Sequence, residues 1–183
     1  MIRIFDFLFS FFGLLVLSPV LLILFVITYF DTGSPLFRQE RIGRFEEPFT
    51  LIKFRTMQFD TASVASHLVD KSAITSIGSF LRKSHLDELP QLWNVLKGNM
   101  SLVGPRPALF SQEKLRDARK KHDVYRVRPG ITGLSQISGL DTSTPELLAE
   151  TDAKMIENLS LIDYCKFIIA TAGGKGGGDA AQR

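Results

Sequence analysis

From Phe7 to Phe30 the sequence carries no charged residue, and most positions are apolar. At about 1.5 Å per residue, a helix of this length reaches across a hydrocarbon core of about 30 Å. The run is too long for a simple signal peptide and lacks a small-residue cleavage site, so it predicts membrane insertion. Ser18-Pro19 lies at its middle. Proline removes a backbone donor and clashes with the preceding turn, so a bend is expected there. Two topologies follow. One is a kinked spanning helix that leaves only Met1 to Asp6 outside. The other is a helix-break-helix hairpin that enters and leaves on one face. Arg3 on one flank and Arg38, Arg41 and Arg44 on the other then satisfy the positive-inside rule at both ends. The hairpin is favoured, with Ser18 as a partner for backbone groups freed at the break.

After the turn cluster Asp31-Thr32-Gly33-Ser34-Pro35 the pattern changes to short apolar runs. Leu36-Phe37 and Phe49-Thr50-Leu51-Ile52 read as strands, with Arg41 to Pro48 as a hairpin loop. Phe59 to Ser72 is polar and aperiodic, as a loop is. Ile74 to Leu86 reads as a helix with Ile77, Phe80 and Leu81 on one face. Leu89, Leu92, Trp93 and Leu96 follow the helical spacing i, i+3, i+4, i+7. Pro90 is tolerated only in a first turn, which starts this helix near Asp87, and Gly98 after Lys97 stops it. Gln112 to Tyr125 reads as a charged helix. Arg128-Pro129-Gly130 reads as a turn, and Pro145 to Leu159 as a helix capped by Thr144. No internal repeat is visible. The tail Gly173-Gly174-Lys175-Gly176-Gly177-Gly178 lacks the Ser or Thr after lysine that a phosphate loop needs, and reads as low complexity.

Composition refines this picture. The 183 residues are 45% hydrophobic and 22% charged, enough for a packed core. The net charge of +3 and the pI of about 9.1 are too weak to imply nucleic acid. The charge is uneven, however. Between Ser101 and Gly130, Arg106, Lys114, Arg116, Arg119, Lys120, Lys121, Arg126 and Arg128 face only Glu113, Asp117 and Asp123. Such an excess suits an anionic bilayer, a nucleotide diphosphate or a nucleic acid. A solvated helix face explains Lys114 to Lys121 equally well. Cys165 is the one cysteine, so no intrachain disulfide forms, in keeping with a reducing compartment. His67, His85 and His122 are scattered without zinc-ligand spacing.

The stretch from Ser84 to Pro107 carries the candidate chemistry. An Asp87 at a helix start accepts bonds from first-turn amides and is favoured by the helix dipole, and both effects keep it ionised as a carboxylate nucleophile requires. The same amides would help to hold a phosphate oxygen. Glu88 points about 100° away round the helix and suits a divalent cation whose other ligands are phosphate oxygens. Routine helix capping explains the same pair. Gly104-Pro105-Arg106-Pro107 fixes the backbone on both sides of one arginine, which suits bidentate phosphate recognition. Arg128 before Pro129-Gly130 has the same character, as do Lys53 and Arg55 around Phe54. Rigid cations, a carboxylate pair and a membrane anchor together point to phosphoryl chemistry at a bilayer, which depends on positioning and charge neutralisation. No glycine-rich nucleotide loop of the P-loop or Rossmann type is present.

These residues resemble a known family. Ser18-Pro19, Pro35-Leu36-Phe37-Arg38-Gln39, Lys53-Phe54-Arg55-Thr56-Met57, the block from Leu86 to Gly98, Met100 to Pro107 and Arg128 to Gly133 occur in the order and spacing of the bacterial sugar transferases, the monotopic polyprenyl-phosphate phosphoglycosyl transferases. The chain is similar to their short single-domain members up to about residue 165. The resemblance implies an α/β, helix-rich fold: a re-entrant membrane helix-break-helix over residues 1–32, a cytoplasmic catalytic domain over 33–170 and a flexible glycine-rich tail over 171–183. It implies Mg²⁺ and a two-step reaction at the bacterial inner membrane. Asp87 matches the nucleophile that attacks the β-phosphate of a UDP-sugar and expels UMP, and polyprenyl phosphate then accepts the phosphosugar. Glu88 matches the metal-binding acid. Lys53, Arg55, Arg82, Arg106 and Arg128 match or flank basic positions near the phosphates. Asp152, Asn158, Ser160 and Asp163 occupy acidic and polar positions of the last third. Membrane lipid is an implied partner, and a homodimer stays open. Two departures stand out. The chain turns to glycine after Ala172, where the family continues as a helix, and Ile137-Ser138-Gly139 replaces an asparagine before the glycine.

Two other readings remain. One keeps the chemistry with a UDP-hexose, galactose or glucose, in place of an N-acetylated or deoxyamino sugar. The other is a non-catalytic membrane module that binds anions through the basic stretch.

Overall fold

The computed structural model describes residues 2–58 and 73–174. The expected loop from Phe59 to Ser72 and most of the glycine-rich tail lie outside the described residues. Within them the chain is helix-rich and carries two small two-stranded sheets.

Helix α1 runs from Ile2 to Thr32, 31 residues with a mean hydropathy of 2.7 over its most apolar stretch. It is long and apolar enough to cross a membrane. Ser18-Pro19 lies inside α1 and does not separate two helices. The carbonyl that Pro19 leaves without an amide donor is that of Leu15, and Ser18 Oγ donates to it at 2.8 Å. The helix is inside out by the standard of a soluble protein. Its buried residues are Asp6, Ser10, Leu24 and Thr28, while Val16 is 72% and Phe30 82% exposed. Such a surface calls for hydrocarbon around it.

Both ends of α1 touch the rest of the chain. At the first, Arg3 donates to the carbonyls of Val95 and Leu96 at 2.7 and 3.0 Å, and Asp6 Oδ1 accepts from Ser101 Oγ, the Leu102 amide and Tyr164 Oη at 2.8 to 2.9 Å. At the second, Leu24 packs with Phe54 and Leu81, and Thr75 Oγ1 donates to Asp31 at 2.6 Å. Between them, a Cβ on Gly13 would sit 3.4 Å from Leu92.

Strands β1 (Leu36–Ile42) and β2 (Pro48–Phe54) form the expected hairpin, paired from Leu36↔Phe54 to Ile42↔Pro48. Its connection is shorter than the sequence suggests, with Phe45 and Glu46 in the left-handed region. Helix α2 covers Ser76–Lys83, starting later and ending earlier than the apolar pattern indicates. Thr75 caps it through the Gly78 amide. Helix α3 covers Gln91–Lys97. Asp87 therefore does not stand at its start. It lies in a single 3₁₀ turn, Leu86–Glu88, entered through His85 in the left-handed region. Pro90 has no amide to give, so regular bonding begins only after it. Asn94 ties α3 to β2, its Nδ2 donating to the Thr50 carbonyl at 2.7 Å and its Oδ1 accepting from the Ile52 amide at 3.1 Å.

The sequence pattern missed a second sheet. Strands β3 (Ser101–Val103) and β4 (Gly130–Thr132) pair in parallel, so the expected turn at Arg128 leads directly into a strand. Both strands are only three residues long. Helices α4 (Glu113–Lys121), α5 (Leu134–Ile137), α6 (Pro145–Asn158) and α7 (Leu161–Ala172) complete the described chain. Thr144 precedes α6 as expected, but its side chain makes no capping bond. The largest buried cluster joins Phe49 and Leu51 of β2, Val95, Met100, Leu102, Val103, Met155 and Tyr164. Each such side chain contributes roughly 1.5–3 kcal/mol of burial.

Candidate active site

Asp87 and Glu88 are buried, 3% and 6% exposed, although the one-turn element that carries them connects two helices. Lys53 reaches them from the end of β2 and is itself buried. Its Nζ lies 3.2 Å from Glu88 Oε1, and Arg106 Nη2 lies 3.0 Å from the same oxygen. Two cations from separate parts of the chain thus converge on one carboxylate, with Asp87 adjacent in sequence. Arg106 stays 29% exposed along its side chain, so the cluster opens to solvent on that side.

Arg106 owes its position to a backbone clasp. The Gly104 amide donates to the Thr132 carbonyl at 2.8 Å, and the Gly130 amide donates to Pro105 at 2.8 Å. A Cβ on either glycine would strike the other's backbone, so both positions require glycine. Arg119 completes the clasp, donating to the Arg106 carbonyl at 2.7 Å. Arg119 also forms a two-pronged bond to Asp152 Oδ2, at 3.0 Å from Nε and 2.7 Å from Nη2. Ser135 donates to the other oxygen of Asp152 at 2.7 Å. Asp152, expected from the sequence as a possible site residue, is thus fully buried behind the cluster and acts on Arg106 through Arg119.

The remaining expected residues fall in different places. Arg82, on the last turn of α2, donates to Thr56 at 2.8 Å, and its Nη1 is buried without a partner among the described residues. Arg55 turns back to the α1–β1 turn, donating to the Ser34 carbonyl at 3.0 Å and lying over the Phe37 ring. Arg128 donates to the carbonyl of Gly98, at the end of α3 away from Asp87, at 2.7 Å. Burial, then the charges of Arg3 and Arg44, push its guanidinium below the usual range. Asp163 is in the first turn of α7, where it accepts from Ser160 Oγ at 2.6 Å while its amide donates to that oxygen at 3.1 Å. These bonds hold its carboxyl below the usual range. Asn158 donates to the Lys154 carbonyl on the exposed end of α6.

Arg119 and Thr56 were missed by sequence reasoning. Arg119 lies in a helix that reads as a solvated charged face, yet Leu115, Ala118 and Arg119 share its buried side. That spacing was the available signal. Thr56 has no such signal, since its role depends on Arg82 arriving from another element.

The carboxylate pair with surrounding cations can hold phosphate groups and offer an oxygen nucleophile. Among the described residues no group of three or more His, Cys, Asp or Glu side chains could hold a metal ion. A cation here would therefore complete its shell from substrate oxygens.

Comparison with known proteins supplies independent findings. Residues 1–174 match the family model described as bacterial sugar transferase. A sugar transferase of Bacillus subtilis, EpsL, is 39% identical over 92% of this chain and 84% of its own length. The UDP-glucose:undecaprenyl-phosphate glucose-1-phosphate transferase of Caulobacter vibrioides is 38% identical over 84% of this chain and 61% of its own. The undecaprenyl-phosphate galactose phosphotransferase of Salmonella typhimurium is 33% identical over 93% of this chain and 39% of its own. The chain therefore spans most of the first relative and only part of the other two.

Proposed function

The chain belongs to the bacterial sugar transferase family, and from that premise we propose that it moves a sugar 1-phosphate from a UDP-sugar to polyprenyl phosphate. The observation that carries this reading is the buried Asp87-Glu88 pair, with Lys53 and Arg106 both on Glu88 Oε1. In the first step an Asp87 carboxylate oxygen attacks the phosphorus that bears the sugar. The P–O bond to the uridine side breaks, and UMP leaves with that electron pair. In the second step a polyprenyl phosphate oxygen attacks the same phosphorus, the bond to Asp87 breaks and the carboxylate is restored. Lys53, Arg106 and Arg82 neutralise charge on the phosphates in both steps, and the Arg82 Nη1, without a partner among the described residues, fits an incoming oxygen. Glu88 is the residue that would hold Mg²⁺, which when bound offsets further phosphate charge. The names of the Caulobacter and Salmonella relatives favour a UDP-hexose as donor.

The membrane segment reads best as re-entrant, through a bend at Pro19 within the one helix α1 rather than a break between two, with the catalytic domain on the cytoplasmic face of the inner membrane. Contacts from both ends of α1 to one domain, Arg3 to Val95 and Asp31 to Thr75, favour this over a crossing. Arginines flank both ends, as the positive-inside rule asks. Cysteines introduced near Arg3 and near Ser34 should then be labelled from the same face. Labelling from opposite faces would establish a spanning helix.

The activity is tested by UMP release from the detergent-solubilised protein with Mg²⁺, polyprenyl phosphate and a panel of UDP-sugars. Release with a UDP-hexose is expected. Nucleotide binding without release from any donor would assign a binding module.

A further inference from the structure

A second concentration of charge lies at the other end of α3. A cavity of about 260 Å³ is lined by Arg3, Arg44, Arg126 and Arg128, with Asp6 as the acid among its lining residues. The Asp6 oxygen that accepts from Ser101, Leu102 and Tyr164 is already committed. Arg126 has Asp123 at 3.5 Å, on the exposed side. Glu46, two residues after Arg44 in the β1–β2 connection, pairs with Lys120 at 3.0 Å. None of Asp87, Glu88, Lys53, Arg82 or Arg106 lines this cavity.

The lining is mixed: besides the arginines it includes Ile2, Met155, Ile156 and Leu159. Next to lining residues in the sequence, Ile4 is 64% and Phe45 65% exposed, and Ile162 is 68% exposed at the start of α7. Burial, and then the like charges of Arg3 and Arg44, disfavour the Arg128 guanidinium here. A bound phosphate offsets both effects. A lipid phosphate with its attached chain uses both the arginines and the apolar lining residues.

We infer that this cavity is a phosphate site separate from the Asp87 cluster, and that it takes the headgroup of an anionic membrane phospholipid.

The test uses the full-length protein in micelles of a zwitterionic detergent, with phosphatidylglycerol, phosphatidylcholine, inorganic phosphate or UDP added separately. Saturating phosphatidylglycerol should raise the melting temperature by roughly 5 °C, and phosphatidylcholine should not. Arg44→Gln with Arg126→Gln should lose that rise. Arg44→Lys with Arg126→Lys should keep most of it, which separates lost charge from lost fold. An equal rise in wild type and the glutamine variant would overturn the site. A rise with inorganic phosphate or UDP but not with phosphatidylglycerol would overturn the lipid assignment and give the arginines a soluble ligand. Because the readout is thermal, its failure is independent of whether UMP is released.

Discussion

The protein contains two buried ion clusters built from the same chemistry and closed to different degrees. In the first, Asp152 and Arg119 are 0% and 2% exposed along their side chains, and Ser135 and the Arg106 carbonyl occupy further bonding capacity of both. In the second, Glu88 gathers Lys53 and Arg106, but Arg106 keeps 29% of its side chain in solvent. The closed cluster has no direction in which a ligand could approach. The open one does, and the closed one holds the arginine that guards the opening. Burial and pairing therefore do not mark a catalytic site by themselves, because a scaffold ion pair shows both. What separates the two clusters is the partly exposed Arg106 and the second carboxylate, Asp87.

Breaking each cluster should have a different signature. Asp87→Asn keeps size and should lower UMP release by about 10³-fold or more, with melting unchanged within a few degrees. Asp152→Asn should do the reverse, costing about 3–5 kcal/mol in chemical denaturation by leaving Arg119 charged and unpaired. Replacing the pair together, Arg119→Met with Asp152→Leu, should recover much of that stability. Activity should stay low, because the Arg106 carbonyl loses its donor. Recovery of both would show that the closed cluster does not position Arg106. Glu88→Gln should reduce turnover by roughly 10²-fold and raise the Mg²⁺ concentration needed for half-activity. An unchanged Mg²⁺ dependence would remove Glu88 as the metal residue.

The smallest effect concerns the α1 anchor. Burial and then the charge of Asp6 push the Tyr164 phenol well above its usual range. The folded state thus holds the proton more tightly than the unfolded chain. The stabilisation is complete below the phenol's ordinary value of about 10 and declines as pH rises past it. Melting temperature should fall more steeply above that pH in wild type than in Tyr164→Phe. Parallel curves would show that the phenol does not contribute.

The sequence displayed the long elements and the site residues better than it displayed the site's construction. α1 and the β1–β2 hairpin follow from apolar runs and turn residues that act locally. The block from Leu86 to Gly98 was legible as a motif, yet its backbone was not. The apolar spacing of Leu89 to Leu96 suggested a helix from Asp87, while Pro90 and the left-handed His85 divide it into a 3₁₀ turn and a seven-residue helix. The β3–β4 pair escaped because three-residue strands carry no periodicity. Arg119 escaped because charge in a helix is ordinarily read as solvated. The partners that bury it, Asp152 and Arg106, lie 33 and 13 residues away.

The central claim is that Asp87 carries the sugar phosphate covalently, and intact-protein mass spectrometry tests it most directly. Wild-type protein incubated with the UDP-hexose that supports UMP release, without polyprenyl phosphate, should gain the mass of one hexose phosphoryl group (hexose phosphate less water). The gain should be absent in Asp87→Asn and should disappear from wild type when polyprenyl phosphate is added. An adduct that persists in Asp87→Asn, or UMP release with no adduct at any time, would contradict Asp87 as the nucleophile.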